Sequence, residues 1–396
     1  MHEPTTRAGL PGREAFDLER YLADCRTLVL GEIQRLIPTQ PGGRALYDLI
    51  LDYPLREAKG LRPALAIATC RGFGGKIDAI LPTAAVLELY HNAFLIHDDV
   101  EDDSLIRRGR ATLHQEHGIP VAVNVGDAML AMSLEPLLEN MAVIGLGPSL
   151  LILRAVARMS RESVEGQALE LDWIRQGAWD LDDDDYVTMV TKKTGWYSFI
   201  TPMMVGALAA GELSSKSAEV LTEFGQALGV AFQIQDDILN LAGDVEGYGK
   251  EIGGDLWEGK RTVILLHALR CAAASDRQRA VEILALARPS TTADADAARL
   301  ERTLDELHTR GDLTAAGREQ LLVELTGRRG VKTLEQVRWL QALIERSASL
   351  DYAANVARFW AERAASKLRD LSQWVPPSTH RQVLEGVVEY VHRRAR

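Results

Sequence analysis

The longest apolar run in the chain, Ile80 to Ile96, is broken by Pro82, Glu88, His91 and Asn92 and then meets five acids within six residues, Asp98 to Asp103. Two adjacent arginines, Arg107 and Arg108, follow closely. A membrane-spanning helix needs about 20 predominantly apolar residues, and this interrupted run falls short of that. It reads as a helix buried in protein, with a highly charged end. The rest of the chain agrees: Leu, Ala, Glu and Arg dominate, apolar residues recur three and four apart, and no convincing series of alternating β-type segments is present. An all-α fold is expected, and 396 residues with 46% hydrophobic content suffice for a substantial core.

Residues 1–15, punctuated by Pro4 and Pro11, are expected to form a flexible start, whereas Phe16 to Ile37 is periodic and ends before Pro38 and Pro41-Gly42-Gly43. A single domain is expected over 16–396. Within it, residues 271–329 turn small and polar ("ARPSTTADADAARL"), as a surface insertion would. The net charge of -11 (Lys+Arg 45, Asp+Glu 56) disfavours nucleic acid and anionic membranes as partners. Cys25, Cys70 and Cys271 lie far apart with no CxxC pair, which suggests neither a disulfide framework nor a zinc site, so a reducing cytoplasm is the expected location.

On a helix at about 100° per residue, Asp98 and Asp102 fall within roughly 20° of His91, so all three share one face. Two carboxylates one turn apart beside apolar surface repel each other and are costly to desolvate unless a cation compensates them. Hard oxygen ligands in that arrangement suit Mg²⁺, which takes one or two carboxylates and completes its shell with water and substrate phosphates. Acid clusters are commonly just solvated helix ends. A calcium loop also has the right 1,3,5 spacing at Asp99, Glu101 and Asp103, but Ser104 stands where the turn glycine belongs and Arg110 where the bidentate glutamate belongs. The still more acidic stretch Asp180 to Tyr186 precedes an amphipathic run and reads as a helix start answering the dipole. What distinguishes Asp98 and Asp102 is a second cluster behind another apolar segment, with Asp236, Asn240 and Asp244 four apart. Facing clusters of this kind could hold metal ions on one diphosphate, with Arg107, Arg108, Lys193, Lys250 and Lys260 adding charge for phosphate oxygens.

Seven ordered segments carry a resemblance: "KGLRP" (59–63), "LIHDDVEDDSLIRRG" (95–109), "VGDAML" (125–130), "GQALELD" (166–172), "KTG" (193–195), "FQIQDDILN" (232–240) and "GKEIGGDLWEGKRT" (249–262). Together they resemble the trans-isoprenyl diphosphate synthases, or polyprenyl synthetases, over nearly the whole chain. The resemblance implies an isoprenoid synthase-type helical bundle around a central apolar tunnel, usually a homodimer. It also implies three Mg²⁺ ions, replaceable by Mn²⁺, at the tunnel mouth. Asp98, Asp102 and Asp236 match the metal-binding aspartates, with Asp99, Asp237 and Asn240 completing the motifs. Lys59, Arg62, His91 and Arg108 match the isopentenyl diphosphate pocket. Arg107, Lys193, Lys250 and Lys260 match positions holding the allylic diphosphate, dimethylallyl, geranyl or farnesyl, and Thr194 and Gln233 lie near the reacting carbons. The implied product is most readily geranylgeranyl diphosphate. Chain length would be set by the side chains four and five residues before Asp98, Phe94 and Ala93, with Tyr90 and Leu87 deeper.

The chain departs from the family at Glu57-Ala58-Lys59-Gly60-Leu61-Arg62-Pro63, where GGKRLRP is common, and at Asn240, where a third aspartate is usual. Asp236, Asn240 and Asp244 also resemble the metal triad of class I terpene cyclases, which ionise an allylic diphosphate without a second substrate. A non-catalytic subunit of a heteromeric synthase is a third alternative, although such subunits tend to lose their aspartates.

Overall fold

The computed structural model describes residues 16–38, 43–242, 253–288, 302–326 and 331–394. The expected flexible start and the positions Asp244 and Lys250 lie outside the described residues. The first half is helical throughout: α1 (Leu18–Leu36), α2 (Arg44–Leu55), α3 (Leu61–Gly72) and α4 (Ile77–Glu101), a two-residue hairpin β1 (Ile106–Arg107) and β2 (Arg110–Ala111), then α5 (Leu113–His117), α6 (Ile119–Met132), α7 (Leu134–Ile144) and α8 (Leu146–Gln176). Next comes one continuous rod made of α9 (Asp183–Val190), a π-helical segment (Thr191–Ile200) and α10 (Thr201–Ala209), followed by α11 (Ser215–Ala242). The remainder comprises α12 (Gly254–Glu258), α13 (Val263–Cys271), α14 (Ala274–Leu284), α15 (Ala315–Thr326), α16 (Leu334–Arg346), α17 (Ser349–Asp370) and α18 (Thr379–Arg394). The all-α expectation is borne out.

Local chemistry explains several of these boundaries. Asp182 and Asp185 form a reciprocal capping box at the start of α9, so the acidic stretch Asp180–Tyr186 is a helix N-terminus, as expected. Asp17 accepts from the Arg20 amide at 3.2 Å and starts α1.

Helix α4 is the central element. It packs against α1, α3, α6 and α7, and its residues Ile80, Ala84, Leu87, Leu89 and Ile96 are buried in the first of three apolar clusters. It is long and apolar enough to cross a membrane, but 72% of its apolar window is enclosed by other helices. A second cluster is built by α13, α14 and α16 with parts of α9, α11 and α17, and it buries Ala280, Ile283 and Leu284 of α14. A third fills the space between α3, α10, α11, α17 and α18. Three elements meet where these clusters adjoin: the C-terminal end of α4, the π segment and the second half of α11.

Candidate active site

The end of α4 places its three aspartates in different environments. Asp98 lies within the last turn and Asp102 is the C-cap residue. Asp99, rotated about 100° from Asp98, points inward and is fully buried. Its Oδ2 accepts from the Tyr53 hydroxyl at 2.6 Å and its Oδ1 from Arg107 Nε at 2.8 Å. Arg107 reaches this position because β1 and β2 are joined by Arg108 and Gly109, both at positive φ (52° and 73°), the signature of a type I′ turn. Gly109 adopts that conformation freely, whereas Arg108 does so at a cost of about 1 kcal/mol.

The cations come from the other two elements. Lys193, on the π segment, pairs with Glu170 of α8 and lies 3.2 Å from Asp98 Oδ1. Close approach of these two elements requires Gly166, because a Cβ there would lie 2.2 Å from the Lys193 amide nitrogen. Lys260 Nζ lies 3.0 Å from Asp102 Oδ2 and 2.9 Å from Glu258 Oε2. Burial opposes ionisation of Asp98, but Lys193, Lys260 and Arg107 together outweigh it and hold this carboxyl well below the usual range. Burial, with the like charges of Asp98 and Glu258 adding to it against Lys260 and Lys193, pushes Asp102 up to about 7.

The second cluster repeats the pattern. Asp237 accepts from the Tyr186 hydroxyl at 2.6 Å and from Gln233 Nε2 at 2.9 Å, and Gln233 in turn accepts from Thr194 at 3.0 Å. Burial pushes Asp237 up to about 6, and the Lys260 charge is among the influences that oppose this, so Lys260 acts on both clusters. Asp236 is half-buried on the neighbouring face of α11.

Asp99, Asp237 and Asn240, expected to complete the metal motifs, are each engaged by protein donors in this structure. The oxygens of Asp99 and Asp237 are committed to buried donors. Asn240 Oδ1 accepts from the Asp255 amide at 3.1 Å, so this residue braces α12. Arg107, expected at the allylic diphosphate, is likewise turned inward onto Asp99, with its Nη2 4.0 Å from Asp98.

Lys59, Arg62, His91 and Arg108 line one cavity together with Glu88, Phe232 and Tyr390. Arg62 Nη1 lies 3.1 Å from His91 Nε2, and Arg108 Nη2 lies 3.3 Å from the same atom. Arg62 also stacks over the Tyr197 ring, 4.5 Å from its centroid, and donates to Ser198 Oγ at 2.8 Å. Lys59 donates to the Tyr390 hydroxyl of α18. Among the residues expected near the product tail, Phe94 is half-buried between Tyr90 and Tyr197, and Ala93 is fully enclosed. Sequence reasoning passed over Tyr53, Glu170, Tyr186, Tyr197, Glu258 and Tyr390. Glu170, inside "GQALELD", and Glu258, inside "GKEIGGDLWEGKRT", carried a visible signal.

Among the described residues no three acidic, imidazole or thiol groups converge into a ready-made metal cage. Mg²⁺ keeps several water or phosphate ligands and needs few from protein. The hard oxygens of Asp98 and Asp102, each already matched by an ammonium group, are of the right kind.

The polyprenyl synthetase family model matches residues 44–301. The chain belongs to this family. As a member it is a prenyl diphosphate synthase, and such synthases generally use a divalent metal. It is 34% identical over 242 residues to a short chain isoprenyl diphosphate synthase of Methanocaldococcus jannaschii, covering 60% of this chain and 71% of that one. It is 30% identical over 345 residues to a geranylfarnesyl diphosphate synthase of Aeropyrum pernix, covering 85% of this chain and 91% of that one. Its fold matches the crystal structure of a geranylgeranyl pyrophosphate synthetase from Pyrococcus horikoshii Ot3 with TM-score 0.74 at 26% identity, over 94% of this chain and 98% of that one. The family match thus agrees with the ordered motifs.

Proposed function

We propose that this enzyme couples isopentenyl diphosphate to an allylic diphosphate head to tail, with geranylgeranyl diphosphate as its main product. The observation that carries this reading is the presence of two separate cation-bearing sites joined by α4. One holds Asp98, Asp102, Lys193 and Lys260, and the other holds Lys59, Arg62, His91 and Arg108. Two diphosphates need two such sites, and an enzyme that only cyclises one diphosphate needs one.

Asp98, Asp102 and Asp236 would hold three Mg²⁺ ions, or Mn²⁺ in their place, at the allylic diphosphate site. When bound, the metal neutralises charge gathering on the departing diphosphate. Lys193 and Lys260 add to that neutralisation from fixed positions, where preorganised charge is most effective. The allylic C–O bond breaks with its electron pair leaving on the diphosphate. Thr194 and Gln233, bonded to each other, line the path of the resulting cation. Arg62, His91 and Arg108 hold the second diphosphate so that the isopentenyl double bond faces the cation and forms the new C–C bond. The proton then lost goes to the departing diphosphate, and the apolar walls keep water from quenching the cation.

The exposed apolar side chains of α6 to α8, Ile119, Leu134, Leu138, Val143, Leu146 and Leu150, support a homodimer across this face. A reducing cytoplasm remains the proposed location, supported by three free cysteines. The cyclase alternative loses its support at Asn240, whose amide oxygen is engaged by α12.

The test is to incubate purified protein with Mg²⁺ and each of dimethylallyl, geranyl, farnesyl and geranylgeranyl diphosphate, with and without isopentenyl diphosphate. Elongated diphosphates should form only when both substrates are present. A hydrocarbon made from an allylic diphosphate alone would overturn the assignment.

A further inference from the structure

The residues that flank 289–330 in sequence come together as a short stem. Ala287 and Val331 form an isolated parallel bridge there, and the Lys332 amide donates to the Ala287 carbonyl at 2.9 Å. The two residues next to this bridge both reach into the neighbouring segment that carries Lys260. Lys332 Nζ donates to the Trp257 carbonyl at 2.6 Å, and Arg288 Nη1 lies 3.2 Å from Glu258 Oε1. Glu258 passes the connection to Lys260 at 2.9 Å, and Lys260 meets Asp102 at 3.0 Å. The charges alternate along the row Arg288, Glu258, Lys260, Asp102.

The segment held in this way cannot fix its own shape. Helix α12 has only five residues, well below the length at which a helix is stable alone. It is bounded by Gly253 at φ 78° and Gly259 at φ 70°, two positions with wide conformational freedom. Asn240 secures one end, through its carbonyl to the Gly253 amide and its side chain to the Asp255 amide. Leu256 is buried in the second apolar cluster, and the stem contacts hold Trp257 and Glu258 at the other end. Lys332 is 2% exposed, and keeping an ammonium group there is costly. Burial, with Arg261 and Arg288 beside it and Glu258 opposing, pulls it down to about 8. An apolar side chain would occupy that position at lower cost, but it could not grip the Trp257 carbonyl.

We propose that Arg288 and Lys332 are positioning residues that hold Lys260 at the height where it meets Asp102, so that the stem of the 289–330 stretch tunes the allylic diphosphate site. The proposal rests on the two-site reading above.

Its test uses the full-length protein with Lys332→Met, Arg288→Gln, Arg288→Lys and Lys260→Ala. Hydrogen exchange of the metal-free protein over residues 253–260 should speed up about tenfold in Lys332→Met and Arg288→Gln. Both variants should raise the KM for the allylic diphosphate about five- to tenfold while leaving the KM for isopentenyl diphosphate within about twofold. Arg288→Lys, which keeps a charge for Glu258, should recover most of the loss. Arg288→Gln sits at a side chain that solvent still reaches, so it carries the test independently of how Lys332→Met folds. Unchanged exchange, or equal changes in both KM values, overturns the positioning role. If Lys260→Ala itself leaves the allylic KM unchanged, the two-site reading fails and the proposal falls with it. If Lys260→Ala raises that KM and the stem variants do not, only the proposal falls.

Discussion

Tyr186 of α9 donates its hydroxyl to Asp237 of α11 at 2.6 Å, and Tyr53 of α2 makes the same bond to Asp99 of α4 at the same distance. Each aspartate-rich motif is therefore anchored through its second carboxylate by a buried tyrosine from a neighbouring helix. Consecutive residues on a helix face directions about 100° apart. Anchoring the second aspartate thus fixes the direction of the first, Asp98 in one motif and Asp236 in the other. Burial, and next the Asp99 or Asp237 charge, push both tyrosine hydroxyls up, so each remains a proton donor at neutral pH.

Tyr186→Phe keeps the ring and removes only the donor, leaving Asp237 with Gln233. A buried hydrogen bond to a charged acceptor contributes about 1.5–3 kcal/mol, so the melting temperature should fall accordingly. Asp236 would also be less firmly directed, and the Mg²⁺ concentration for half-maximal turnover should rise severalfold. Loss of stability with an unchanged Mg²⁺ dependence would show that the tyrosine is a packing residue with no hold on the site.

Asp102 supplies a pH prediction. Its folded value of about 7 lies above the unfolded carboxylate value of about 3.9. A group raised in this sense takes up a proton on folding, so its stabilising contribution is present at low pH and is lost as pH rises through the window between about 4 and 7. The metal-free wild type should therefore lose stability relative to Asp102→Asn between about pH 4 and pH 7. With Mg²⁺ and an allylic diphosphate the order should reverse, because the ligand requires the ionised carboxylate. Thermal melts in EDTA and in ligand, run across that range, measure both. Parallel profiles for the two proteins would refute the assignment.

Arg62→Ala separates the two diphosphate sites. Arg62 contacts His91, Ser198 and the Tyr197 ring. Its removal should raise the KM for isopentenyl diphosphate by at least tenfold, about 1.4 kcal/mol, and leave the allylic KM within about twofold. Equal loss for both substrates, in steady-state assays varying one at a time, would merge the two sites into one.

The legible part of this protein was whatever repeats along the chain. The three-and-four spacing gave the helices, and seven- and eleven-residue offsets put His91, Asp98 and Asp102 on one side of α4. The capping box at Asp182 was readable as an acidic helix start. The division of labour within each aspartate pair was not readable, because Tyr53 and Tyr186 lie 46 and 51 residues away from the carboxylates they anchor. Nor was the Arg107–Arg110 hairpin, which is too short to show any alternation and depends on two positive-φ residues. The bond from the Asp255 amide to Asn240 was not readable either, because Asp255 belongs to a five-residue helix too short to show a periodicity of its own.

Product length should be governed by Phe94 and its aromatic neighbours. Phe94 lies one turn before Asp98 on α4, in the direction a prenyl tail would take from the diphosphate. Its ring packs edge-on against Tyr90 at 5.9 Å and against Tyr197 of the π segment at 5.6 Å, so the three rings close the gap between α4 and that segment. Aromatic pairs of this kind contribute about 0.5–1.5 kcal/mol each beyond burial, which makes the closure a wall rather than a loose side chain. Phe94→Ala should remove its centre and shift the main product from geranylgeranyl to geranylfarnesyl diphosphate or longer, at a stability cost of about 3–5 kcal/mol or less, since the site is only half-buried. Ala93 is fully enclosed, so Ala93→Phe would overpack the core by about 1–3 kcal/mol while pushing a ring towards the same gap. That variant should melt lower and shorten the product towards farnesyl diphosphate. Chromatography of the dephosphorylated products reads both shifts, with farnesyl diphosphate as starter for Phe94→Ala and dimethylallyl diphosphate as starter for Ala93→Phe. If both variants fold and turn over with the wild-type product distribution, the tail runs elsewhere and the three rings are ordinary core.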